Sequence, residues 1–257
     1  MRVHRNLGWV LAIAVGLMAD ADAQSERPLH FLSKQCNEDA IEVLLDPQPL
    51  QGYVGPPFQL KLKDGKARLV IVAHNCSQYW MDGQDVGPTQ EVQVWVSIQG
   101  PEDLRPVIGA EQTLPTRTWF SLFSGSSNQR VRQAKGAAGT EQSPIETVFL
   151  EAPRPKRRGE ISLSRDLRYS WEVPEAMPAC RLIGMNQDVY VRDAAGNVVL
   201  NRIQVLLRLS SGPAKGTLKV VGRENPVPCI NAGSYPVSVT TFSPMWSRAT
   251  LGNAALH

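Results

Sequence analysis

Two hairpin signatures constrain the fold most. In "FQLKLKDGKARLVIVA" (Phe58 to Ala73) the pair Asp64-Gly65 separates two strand-like runs, and such pairs supply the left-handed turn a tight hairpin needs. In "VYVRDAAGNVVLNRIQVLLRLS" (Val189 to Ser210) the turn falls at Asp193, Gly196 and Asn197, and the returning strand is long. Shorter strand-like runs lie at Glu91–Ile98, Thr118–Phe123, Ile145–Glu151, Glu160–Ser164, Tyr169–Val173, Thr217–Val221 and Val237–Phe242. Many short strands with turn residues between them predict a mainly β protein, a barrel or a sandwich. One or two short helices are expected beside it. "NEDAIEVLL" (Asn37 to Leu45) has an Asn cap and early acids, and Pro47 stops it. "SSNQRVRQAKGAAG" (Ser126 to Gly139) has Ser and Asn caps, good helix formers and terminal glycines.

The first residues read as an export signal. Arg2 and Arg5 precede the apolar run Leu7 to Leu17, which is short for a membrane span, and Ala21-Asp22-Ala23 offers a cleavage site. Removing 23 of the 257 residues leaves 234, expected to form a single β-barrel domain over 24–257. No stable membrane insertion is expected after cleavage, and the location is secreted or periplasmic. Four cysteines remain, Cys36, Cys76, Cys180 and Cys229. An oxidising destination favours two disulfides. Three pairings are open, and Cys36–Cys76 with Cys180–Cys229 is favoured because each pair lies within one half of the chain. The histidines stand at no ligand spacing and there is no CxxC, so neither a metal nor a cofactor is expected. A net charge of +3 is too small for a nucleic-acid binder. The one basic cluster, "PRPKRRGE" (Pro153 to Glu160), reads as an exposed loop.

The stretch "GPTQEVQVWVSI" (Gly87 to Ile98) alternates strictly. Val92, Val94, Val96 and Ile98 share one face, and Glu91, Gln93 and Trp95 share the other. If the valines pack outward, Glu91, Gln93 and Trp95 line the interior. If the valines fill it, Glu91 faces water. Arg117 in "TRTWFSLF" is of a type that binds a carboxylate in a two-toothed grip, although surface placement is the default. Tyr79 and Trp80 read as core or rim packing beside Cys76, with a pocket wall as the alternative.

The order of these pieces resembles the acetoacetate decarboxylase-like superfamily. "NEDAIEVLLDPQPLQGYVG", "KARLVIVAHNCSQYW", "GPTQEVQVWVSI", "GTEQSPIETVFLE" and "GPAKGTLKVVGRENPV" carry the resemblance, from about residue 36 to about residue 240. It implies a closed, cone-like antiparallel β barrel with an internal cavity holding a small carbonyl or keto-acid ligand. It also implies a Schiff-base lysine, with carboxylates that assist proton transfer. Glu91 matches the glutamate of the family's Gly-Pro-Tyr-x-Glu motif, with Thr89 in place of tyrosine. The family lysine follows a Gly-x-Pro-Lys-like stretch. Here that stretch keeps Gly139 but offers Thr140, Glu141 and Gln142. The nearest upstream lysine is Lys135, expected on the solvent side of the preceding helix. The resemblance therefore implies a decarboxylase-like lyase, or an inactive homologue without the lysine mechanism, with Glu91 and Lys135 as the catalytic candidates. A non-catalytic ligand carrier or interaction domain is the alternative.

Overall fold

The computed structural model describes residues 28–100, 104–105, 116–151, 156–175, 178–193, 195–222, 224–253 and 255–256. The expected signal segment lies outside them. The main elements are β1 (Leu29–Leu45), α1 (Pro47–Val54), β2 (Lys66–Met81), β3 (Thr89–Gln99), β4 (Thr116–Ser126) and α2 (Gln129–Ala137). They continue with β5 (Thr147–Leu150), β6 (Arg157–Ser164), β7 (Leu167–Val173), β8 (Pro178–Arg192), β9 (Val198–Val221) and β10 (Gly233–Asn253). Among the described residues no helix is long and apolar enough to cross a membrane.

Seven strands hydrogen-bond into a ring in the order β9, β8, β4, β3, β2, β1, β10 and back to β9. Both predicted hairpins are present. Lys63 pairs Lys66 across Asp64 and Gly65, whose φ values of 52° and 74° are the left-handed pair such a turn requires. Arg192 pairs Val198 across the second turn. The expectation of a purely antiparallel sheet needs correction, because β8 runs parallel to β4, with Val189 opposite Trp119. A parallel pair needs a long crossover, and α2 with β5, β6 and β7 supplies it.

The crossover strands extend from the far half of β9, where Glu172 pairs Thr217, and cover one side of the ring. Two hydrophobic cores result. The outer core joins Ile41, Ile71, Val94, Ile161 and Trp171 with Leu50 and Val54 of α1. The inner core lies within the ring and includes Phe31, Val72, Trp95, Trp119 and Val205. Val92, Val94, Val96 and Ile98 pack in the outer core and Trp95 in the inner one, so both faces of β3 are buried.

Asn37–Leu45, expected as a helix, is the second half of β1. It pairs β2 on one side and β10 on the other, and this pairing overrides the local cap signal. Pro47, expected to stop a helix, starts one. It stands in the first turn of α1, where a missing N–H costs nothing, and the Asp46 carboxylate accepts from Gln48 N at 3.0 Å. The second helix forms as expected. Asn128 caps α2 by accepting from Arg130 N at 3.0 Å and from Val131 N at 3.4 Å.

Candidate functional site in the ring cavity

The site begins with an irregularity in β1. Gln35 takes a left-handed φ of 52°, and the pairing with β10 shifts register between Ser33 and Glu38. Such a bulge re-aims the side chains that follow. Before it, Phe31 and Ser33 face the ring interior; after it, Cys36, Glu38 and Glu42 do. Cys36 bonds to Cys76 of β2 at this place.

Glu91, Gln93 and Trp95 line a cavity inside the ring together with His74, Tyr79 and Lys135. Glu91 is 2 % exposed. Its Oε2 accepts from the Tyr79 hydroxyl at 3.0 Å and lies 3.0 Å from His74 Nε2. Its Oε1 accepts from Lys135 Nζ. Burial works to raise the Glu91 carboxyl, but Lys135 and His74 outweigh it and hold it at about 2. With Glu91 ionised, His74 donates from Nε2. Its buried Nδ1 then meets no partner among the described residues. Burial, reinforced by Glu91, raises the Tyr79 phenol, which stays protonated.

Lys135 is 5 % exposed, not the solvent-facing lysine expected. Val131 and Lys135 are four apart on α2 and so share a face, and both are buried. The ammonium lies 5.1 Å from the Phe31 ring centroid, a cation–π contact. The lysine therefore reaches the cavity from the helix before Gly139, not from the stretch Thr140–Gln142.

Glu38 completes the site, and nothing in the sequence singled it out. It lines the same cavity, and no hydrogen bond joins its carboxyl to another described side chain. Burial raises this carboxyl to about 7; His74 partly offsets the rise and Asp39 adds to it. His74 was equally unmarked, since neither residue belongs to a local motif. Arg117 is exposed and lines an adjoining chamber, apart from Glu91.

The site thus assembles a buried amine, an ionised carboxylate, an imidazole with a free acceptor and a carboxyl poised to hold a proton near neutrality. These are the parts needed for nucleophilic attack and proton transfer.

The second expected disulfide is a correction. Cys229 carries a free thiol. It lies in the connection between β9 and β10, whereas β8 near Cys180 runs beside the middle of β9, at Leu209 and Ser211. "PRPKRRGE" is corrected in part, because Arg157 is 1 % exposed and opens β6.

Comparison with solved structures gives the class of fold. An acetoacetate decarboxylase from Legionella pneumophila is similar with a TM-score of 0.54 and 12% identity, over 88% of this chain and 86% of that one. The enduracididine biosynthesis enzyme MppR, complexed with the condensation product of pyruvate and imidazole 4-carboxaldehyde, is similar with a TM-score of 0.52 and 12% identity. That match covers 99% of this chain and 97% of that one. An acetoacetate decarboxylase-like enzyme from Sphingomonas wittichii RW1 scores 0.51 at 12% identity, over 90% and 94%. No protein-family model matches the sequence, and neither does any curated protein. The chain shares the fold of the acetoacetate decarboxylase-like enzymes.

Proposed function

We propose that the ring acts as a barrel that binds a small carbonyl compound of the keto-acid class, and that Lys135 meets it as an amine. The observation that carries this reading is Lys135 buried against Glu91 at the cavity. Attack requires the neutral amine, so Lys135 first gives up its proton, with His74 as the acceptor on the cavity. The nitrogen then bonds to the carbonyl carbon, and loss of water leaves an iminium. In a β-keto acid the iminium draws the electron pair from the bond to the carboxylate; carbon dioxide leaves, and the resulting enamine takes a proton. Glu38, its carboxyl at about 7, is the donor on the same cavity. The MppR structures, with pyruvate or a pyruvate condensation product bound, support a keto-acid ligand for this fold.

The Lys135–Glu91 ion pair favours a second reading, a non-catalytic carrier. An ammonium held on a carboxylate keeps its proton and so does not attack a carbonyl carbon. Under either reading the Cys36–Cys76 bond and the leader-like first residues support export to an oxidising space. Borohydride reduction of the full chain with pyruvate separates the two. The amine reading predicts a mass adduct on the Lys135 peptide, absent in Lys135→Arg. Ligand-induced thermal stabilisation without any adduct selects the carrier.

A further inference from the structure

The cavity around Glu91 adjoins a larger chamber of about 320 Å³. The two share Glu38, Val72 and Gln187. The chamber walls are mostly apolar, with Val70, Met185, Leu207 and Phe242, and its rim is basic. Lys63 and Arg68 both pair with Glu42, at 2.7 and 2.5 Å. Arg117 lines the same rim, and no carboxylate pairs with it among the described residues. Three cations thus share one carboxylate there, and the other acid among the lining residues, Glu38, stands at the inner end. Arg68 lies 5.2 Å over the Trp119 ring, and the buried Trp119 Nε1 has no acceptor among the described residues. Partial burial and the neighbouring Arg68 lower the Arg117 guanidinium, Glu42 works against them, and it stays charged beside Arg68.

Positive charge in excess of carboxylate and apolar walls call for a specific ligand shape. We infer that the chamber takes the far end of the substrate, and that this end carries a carboxylate held by Arg117 and Arg68. This rests on the Lys135 reading for where the carbonyl lies. The stretch of β2 from Arg68 to His74 covers on the order of 20 Å at about 3.3 Å per residue. Lys135 and Arg68 reach inward from the two ends, so the ligand exceeds pyruvate in length. The substrate class is an oxo acid with an apolar chain and a second, terminal carboxylate.

Calorimetric titration of the full chain with 2-oxopimelate and 2-oxoheptanoate tests this. The two match in chain length and keto-acid head and differ in the far carboxylate. The titration reads binding whether or not a bond to Lys135 forms. The wild type should bind 2-oxopimelate about tenfold or more tighter, the scale of one charge-assisted pair. Arg117→Gln, at an exposed side chain that the fold does not need, should cut the preference to within about twofold. Equal binding of both ligands by the wild type overturns the inference, and so does a preference unchanged in Arg117→Gln. A preference without any borohydride adduct would sink the amine reading and still uphold the anionic end.

Discussion

Glu38 and Asp39 are adjacent, both buried, and face opposite sides of the ring wall. Asp39 points into the outer core, where its oxygens are saturated. Arg157 donates from Nε at 3.0 Å and lies 2.6 Å away through its terminal nitrogen. Trp171 Nε1 donates at 2.9 Å and Thr241 at 2.8 Å. Glu38 points into the cavity and has no such partners. One carboxylate ties the crossover strands to the ring. The other is left with the proton that burial favours. Polar satisfaction, not burial, separates the anchoring residue from the unpaired one.

The largest effect should follow from breaking the anchor. Asp39→Ala leaves Arg157 buried without its counter-charge, and its Nη1 already lacks a partner. Urea unfolding should show a loss of about 3–5 kcal/mol. A loss near zero would mean that the outer carboxylate is no more an anchor than the inner one.

Glu38→Gln should act in the other direction and only above acid pH. Its carboxyl moves from an ordinary 4.5 to about 7 on folding. Below about 4.5 the group is protonated in both states and the substitution changes little. As pH rises from there to about 7 the unfolded chain ionises first, so the wild type loses stability. Above about 7 the full cost is present, at most about 3.5 kcal/mol from about 1.4 kcal/mol per pKa unit. Unfolding at pH 8 should therefore find Glu38→Gln more stable than the wild type, with little difference at pH 4. A constant difference across pH would remove the contrast with Asp39.

The same two residues explain what the sequence could tell. Strict alternation made β3 legible, and it placed Glu91, Gln93 and Trp95 on one face. Choosing which face lines the cavity needed the outer layer, whose packing on Val92 and Val94 is set by distant strands. In β1 the alternation was present but hidden. Glu38, Asp39 and Glu42 are charged residues on two buried faces, so polarity does not vary with period two. The cap and acids of Asn37–Leu45 then read as a helix. Lys135 was correctly placed on α2, but its burial depends on Phe31 and Glu91, both remote in sequence. Arg157 looked solvated within a basic run because its partner Asp39 lies on a strand far from it in the chain.

Carbon-13 NMR of the side-chain carboxyls in glutamate-labelled protein tests the central contrast most directly. One glutamate carboxyl should titrate near pH 7 and disappear in Glu38→Gln, while Glu91 stays ionised down to about pH 2. If every glutamate in the folded protein titrates at ordinary carboxylate values, Glu38 holds no proton for the cavity and its contrast with Asp39 is lost.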